Sequence, residues 1–305
     1  MIAKALRRFH ATFLSGWWRW PKEHYHVFAG PQDGPFQHVR SPFGSYFADP
    51  FVWTHQGEPW LFVEQFLHNQ NRGRLVARRL SGGPLLPIDL VDFGHASFPC
   101  VFEADGQLFL IPETCNTGTI DLYTCERFPD RWRHVRRLAA NIDAADTAPL
   151  HHAGRWWFIT SVRGSSTDGG HRALAIYHTS DLLHGDWIAH PVNAERRHVE
   201  SPYSSGRNAG AIITLADGQL IRPIHSSARY YGENLRWTRI DELTPDMFNE
   251  TLLDNAPAEF AALPRIPMHH VSTHDGWIAC DTRSRIPFGL KPPVDSATAS
   301  AGRTR

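Results

Sequence analysis

The chain has 305 residues, with 31 Lys and Arg against 31 Asp and Glu, so its formal net charge is zero. A neutral balance supplies no basic field for a phosphate backbone, which argues against nucleic acid as a partner. No apolar run reaches the roughly 18 residues that a membrane span needs.

The 42% hydrophobic content is ample for a packed core, and the 20% charged content is low for a soluble domain. Aromatic residues and turn formers are abundant (11 Trp, 18 Phe, 7 Tyr, 23 Gly and 22 Pro, against 3 Met), which points to β structure. Cys100, Cys115, Cys125 and Cys280 form no CxxC pair. They are expected to be reduced, partly buried thiols of a cytoplasmic protein, with no structural zinc.

In chain order, residues 1–24 carry Trp17, Trp18 and Trp20 among arginines. They read as an N-terminal arm that docks on the protein or contacts a membrane surface peripherally. They show no clean apolar core or cleavage site of a secretory signal. YHVFAG (25–30) is a strand that precedes everything else. A repeated unit follows: an apolar run, a tight polar turn with glycine, and a second apolar run. The five copies are FVWTHQGEPWLFVE (51–64), VFEADGQLFLIPE (101–113), LHHAGRWWFITS (150–161), AIITLADGQLIRPI (211–224) and VSTHDGWIACDT (271–282). Asp-Gly and its like between alternating runs is a hairpin signal. A third strand follows in four units, at 74–80, 119–128, 172–182 and 234–243. A weaker fourth follows in the first three, at 87–93, 132–139 and 187–192.

After the fifth hairpin nothing comparable remains, whereas strand 25–30 belongs to no unit. The fold class is therefore all-β, a five-bladed β-propeller closed by the N-terminal strand. Its expected extent is 25–290, with a disordered tail at 291–305 (KPPVDSATASAGRTR is its sequence from 291).

The turn glycines Gly57, Gly106, Gly154, Gly218 and Gly276 set a common register. Upstream of them, at one fixed offset, stand Asp49, Phe98, Asp146, Gly210 and Met268. Downstream, at another, stand Glu64, Glu113, Ser161 and His225, with Asp281 close to that place. Both offsets fall at hairpin ends opposite the tight turn, so they share one mouth of the channel. Asp49, Glu64, Glu113, Asp146 and His225 gather there, with Arg222, Arg163 and Arg207 within reach. Carboxylates are seldom buried without partners, and paired carboxylates are the machinery of glycoside hydrolysis. Glu200, in the loop HVESPYSSGRNAG, is a further candidate acid. Tyr230 is placed to stack on a sugar ring, and His269 or His270 to line the channel, in a hydrogen-bonding role rather than as a metal ligand. No HExxH, P-loop, GxGxxG or GxSxG motif is present, and no cofactor is expected.

Tyr46-Phe47-Ala48-Asp49-Pro50-Phe51 and the hairpin after it resemble the first-blade motif of the carbohydrate-active propellers of glycoside hydrolase families 43 and 32. ADPFVW…LFVEQF, SFPCVFEADGQLFLIPET, APLHHAGRWWFITS, SGRNAGAIITLADGQLIRPIHSS and HHVSTHDGWIACD resemble a narrower branch. That branch is the propeller preceding the transferase in plant glucosamine inositolphosphorylceramide transferases, also found beside bacterial formyltransferase-like proteins. The resemblance covers roughly 41–282. It implies a propeller fold and a carbohydrate or glycolipid substrate, with a glycosyltransferase or formyltransferase as partner. In the hydrolase pattern a first-blade Asp is base or nucleophile, a second Asp orients, and a Glu is the acid. Asp49 fits the first place, and Ser97-Phe98-Pro99 stands where the second-blade acid would be. Asp146, Glu113 and Glu200 are left to complete a catalytic set. Glu64, Arg222, His225, Tyr230 and His269 are the expected substrate-binding residues. The expected activity is a glycosidase or transglycosylase; the alternative is a non-catalytic sugar-binding module of glycan assembly.

Overall fold

A computed structural model describes residues 24–91, 93–163, 172–195, 207–226 and 232–284. Of the expected arm at 1–24, only His24 is described, and it opens a strand; the expected tail at 291–305, Glu200 and Tyr230 lie outside the described residues, as does the side chain of Cys115. The chain opens with β1 (His24–Pro31) and β2 (Gln37–Val39). Blade one is β3 (Ser45–His55), β4 (Glu58–Leu67), β5 (Arg72–Arg79) and β6 (Leu86–Pro87). Blade two is β7 (Ser97–Ala104), β8 (Gln107–Glu113), β9 (Thr119–Arg127) and β10 (Arg131–Ala140). Blade three is β11 (Ala144–His152), β12 (Arg155–Arg163), β13 (Arg172–Thr179) and β14 (Ile188–Ala189). Blade four is β15 (Ile213–Thr214), β16 (Leu220–Ser226), β17 (Asn234–Leu243) and β18 (Phe248–Leu253). β19 (His270–His274) and β20 (Trp277–Ser284) begin blade five, whose strand order is β19-β20-β1-β2.

The ring is thus closed from the N-terminus, by two strands where the sequence indicated one. β1 runs antiparallel to β20 from His24↔Ser284 to Pro31↔Trp277, and β2 adds outside it. β2 is too short to show a period, and β18 follows a third strand whose sequence runs on into a polar stretch. Both escape pattern reading for that reason. Four of the five hairpin turns place two consecutive residues at positive φ: Gln56-Gly57, Asp105-Gly106, Ala153-Gly154 and Asp275-Gly276. That is the type I′ geometry whose twist matches antiparallel strands.

The core lies between blades. Phe62, Phe98 and Leu110 pack between blades one and two, and Trp157, Ile159 and Ile176 between three and four. Trp60, Phe109 and Trp157 are buried, as packing residues should be, and Trp156 is half-buried. Blades four and five meet at Gly210, whose φ is +145°. A Cβ there would collide with the Val271 carbonyl oxygen, while Val271 N–H donates to Ala209 O at 2.8 Å. Gly210→Ala is therefore expected to cost about 2–4 kcal/mol in urea denaturation, because backbone rather than a pliable side chain must yield.

The closure also gathers imidazoles. The His24 ring lies 4.9 Å from His26 and 5.9 Å from His68. Burial, then the charges of His26 and His68, push the His24 pKa down to about 4. The folded ring favours neutral His24. Its contribution is intact above pH 6.5 and is lost as pH falls toward 4, where the unfolded chain takes up the proton first. A His24→Asn variant is expected to lose about 1 kcal/mol less stability than the parent between pH 7 and 4.5, a figure discounted for partial exposure. Denaturation curves at the two pH values check this.

Candidate functional site

Three inner strands break their ladder at the same place. Register shifts fall between Ala48 and Phe51, Ser97 and Cys100, and Ala145 and Ala148. In each bulge one residue is left-handed: Asp49 (φ 49°), Phe98 (φ 44°) and Asp146 (φ 54°). Asp tolerates that region and Phe does not, so Phe98 is held by packing. Its ring is buried edge-on against Phe51 and His270, at 5.0 and 5.3 Å.

Each bulge frees a backbone N–H, and a carboxylate of the preceding blade captures it. Asp49 N–H donates to Asp281 Oδ2 at 3.0 Å, Phe98 N–H to Asp49 Oδ2 at 3.3 Å, and Asp146 N–H to Glu113 Oε2 at 2.9 Å. The acids therefore link blade to blade around the channel while turning toward its mouth.

There they border a cavity of about 190 Å³. Asp49, Glu64 and Glu113 line it with Arg207, His269, His95 and Ser97, beside Tyr25, Tyr46 and Phe66. A larger cleft of about 440 Å³ lies at the tight-turn end, near His55, Gly106 and Phe128. Its acids, Glu103 and Glu126, are exposed. The buried acids of the smaller cavity make it the candidate site.

The electrostatics there are divided. Arg207 donates through Nε to Asp146 Oδ2, through Nη2 to Asp146 Oδ1 at 2.8 Å, and through Nη2 to Glu113 Oε2 at 3.3 Å. Burial alone would raise Asp146, but Arg207 overrides it and holds the carboxyl well below the usual range. Burial and the ionised Asp146 push Glu113 up to about 8, against the pull of Arg207. Burial raises Asp49 to about 6, with His269 opposing and Asp281 reinforcing. Glu64 is pushed well above its ordinary value by burial and then by Asp49 and Glu113. Burial would lower His269, but Asp281 and Asp49 raise it instead; its Nδ1 is 3.3 Å from Asp281 Oδ2 and 3.6 Å from Asp49 Oδ1. Asp49, His269 and Asp281 hold ligand atoms within 4.8 Å of one another, a set that can accept a cation.

Of the residues expected at the site, Asp49, Glu64, Glu113, Asp146 and His269 come together. His225 is buried behind them, its ring 4.4 Å from His269, with its pKa pushed well down by burial and then by His269. Arg222 does not join the cavity lining. It is fully buried, with Nε donating to Asn208 Oδ1 at 2.8 Å and Nη1 to both oxygens of Glu250 at 2.9 and 3.0 Å. Arg222 and His225 are three residues apart on β16, and strand alternation sends such residues to opposite faces. Arg207 is the residue whose centrality sequence reasoning missed. It precedes the first pairing of blade four, Asn208 with Ile224, so no strand pattern marks it.

Residues 37–260 match the family described as "Glucosamine inositolphosphorylceramide transferase 1, N-terminal". A relative of that transferase name from Oryza sativa subsp. japonica is 25% identical over 257 residues, covering 80% of this chain and 34% of the relative. One from Arabidopsis thaliana is 27% identical over 213 residues, covering 68% of this chain and 27% of the relative. The chain thus spans about a third of the length of the curated relatives it matches. Among solved structures, a GH32 beta-fructofuranosidase of Bombyx mori aligns at a TM-score of 0.53 and 12% identity, over 90% of this chain and 60% of that one. A family 117 glycoside hydrolase of Zobellia galactanivorans aligns at 0.50 and 10% identity, over 92% and 99%. At such identities these alignments speak to the fold, a five-bladed propeller.

Proposed function

The chain belongs to the family of the N-terminal region of glucosamine inositolphosphorylceramide transferase 1, and from that premise we propose that its mouth cavity is a glycoside-active site. Asp49 is the base or nucleophile, Glu113 the proton donor, and Asp146 the carboxylate that Arg207 keeps ionised to orient and tune the others. Glu200, which precedes blade four in sequence, is the second candidate donor. Glu64, His269 and Tyr230 contact substrate hydroxyls or charges. The substrate class is a glycan or glycolipid; a glycosyltransferase is the partner suggested by the relatives' name, and a formyltransferase the one suggested by the sequence resemblance.

The observation that carries this reading is the split within one cavity. Glu113 is held protonated up to about pH 8 beside an Asp146 held ionised. Neighbouring carboxyls driven apart in pKa are the mark of an acid and base assignment. The test is cleavage or transfer by the full-length chain on a panel of oligosaccharides and glycolipids, with Asp49→Asn beside the parent. Turnover on a substrate that Asp49→Asn leaves undiminished would overturn the assignment.

The second reading is a non-catalytic sugar-binding module. Two observations favour it: Arg207 engages both Asp146 and Glu113, and Phe98 fills the second-blade place. Saturable sugar binding with no turnover across the panel decides for it.

A further inference from the structure

Arg222 is expected from the sequence to touch substrate, yet it is wholly buried and does not line the mouth cavity. A buried arginine is costly unless its donors are well placed. Here they serve two partners. Nη1 donates to both oxygens of Glu250 at 2.9 and 3.0 Å, and Thr238 Oγ1 donates to Glu250 Oε2 at 2.8 Å. Nε donates to Asn208 Oδ1 at 2.8 Å. Asn208 is buried too, and its Nδ2 donates to Asp146 O at 2.7 Å and Ile159 O at 2.8 Å.

An asparagine amide can face two ways, and Arg222 decides between them. A guanidinium only donates, so it must meet the amide oxygen. The amide nitrogen then points at blade three, where it meets the two carbonyls. They lie at the β11–β12 bulge, between Ala145 and Ala148, where Asp146 stands at φ 54° and Ile159 pairs with Ala148. Glu113 holds the Asp146 N–H and Asn208 holds the Asp146 carbonyl, so side chains of the two neighbouring blades fix both backbone groups of the bulged acid. Asn208 is itself anchored to β16. His225 N–H donates to Arg207 O at 3.0 Å and Ala209 N–H to Pro223 O at 2.8 Å on either side of it.

We propose that Arg222 is a positioning residue for the Asp146 carboxylate, acting through Asn208 and anchored by Glu250 on the outermost strand of blade four. The Arg222–Glu250 pair alone would tie β16 to β18. Asn208 carries the tie across the blade boundary to the acid. This rests on the acid pair of the reading above and adds what holds that pair in place. Without Asn208, a left-handed aspartate loses a restraint and relaxes. Its carboxylate then leaves Glu113.

The experiment is a carboxyl-carbon NMR titration of Glu113 in the full-length chain, the signal assigned by its loss in Glu113→Gln. The parent midpoint is expected near 8, where burial and the ionised Asp146 push it. Arg222→Met combined with Glu250→Met leaves no charge stranded. In that protein the midpoint is expected about one pH unit lower, because Asp146 is no longer held against Glu113. Asn208→Leu is expected to move it equally, and all three changes together no further, since Arg222 acts through Asn208. An unmoved midpoint in the Arg222→Met, Glu250→Met protein overturns the proposal, whatever that protein's stability in urea. An upward shift overturns it too, by showing that Arg222 holds Arg207 instead, as do additive shifts. A parent midpoint in the ordinary glutamate range removes the acid pair and the catalytic reading with it. Should the double variant not fold, Arg222→Lys is read the same way. Its single ammonium cannot hold Asn208 and both Glu250 oxygens in one geometry, so an unmoved midpoint there overturns the proposal. The titration reads protonation rather than turnover, so it decides without a known substrate.

Discussion

Replacing Arg207 with methionine is expected to destabilise the protein by about 3–5 kcal/mol, the range for removing one partner of a buried ion pair. The physical reason is stranded charge. Arg207 is 16% exposed, and Asp146, its main partner, is 2% exposed. Without the guanidinium, Asp146 loses the charge that holds it ionised, and burial then drives its pKa upward. Glu113, already raised, loses the same downward pull. The cavity then becomes a cluster of acids that must protonate to stay folded. Adding Asp146→Asn to Arg207→Met should recover part of the loss, since the amide removes the charge that the arginine served. A double-mutant cycle read by urea denaturation measures this coupling, expected at about 1–3 kcal/mol. Additive effects would show that Arg207 is not the partner that matters.

The second large effect is catalytic, on a substrate found under the proposed reading. Asp49→Asn is expected to lower kcat about a hundred- to ten-thousandfold, the usual worth of a positioned acid or base. Glu113→Gln should do the same where the leaving group needs a proton, and less where it does not. The pH profile separates the two roles. Glu113 is useful as a donor only while protonated, so kcat/KM should fall on the alkaline side with an apparent pKa near 8, the value to which burial and Asp146 push it. In Glu113→Gln that limb should vanish. An alkaline limb that persists in Glu113→Gln assigns the donor elsewhere, with Glu200 next in line.

Much of this geometry is legible in the sequence. The turn glycines fixed a register, and the register put Asp49, Glu64, Glu113 and Asp146 at one end of the channel, where they are. Period-two alternation and Gly turns are local signals, and propeller blades are local units. What stayed illegible depends on contacts between blades. The left-handed bulge at Asp49, Phe98 and Asp146 has no turn residue to announce it at Phe98, since packing against Phe51 and His270 holds it there. Arg222 looked available because its partner, Glu250, lies on β18, a strand the pattern did not reveal. Arg207 reaches across to acids of blades two and three, distances that no window on the sequence spans.

The closure of the ring has a consequence for how the chain is made. His24 pairs with Ser284, so the first strand of the ring to be synthesised waits for the last one described. At ribosomal speeds of about 5–20 residues per second, β1 and β2 emerge roughly ten to fifty seconds before β20 exists to receive them. Throughout that interval blades one to four can assemble in order from local contacts, while the aromatic and histidine-rich start of the chain has no native partner. The nascent propeller is therefore an open arc with two unsatisfied edges until β20 has been made. That makes early release, stalling or truncation near β20 more damaging than a lesion of equal size inside any one blade.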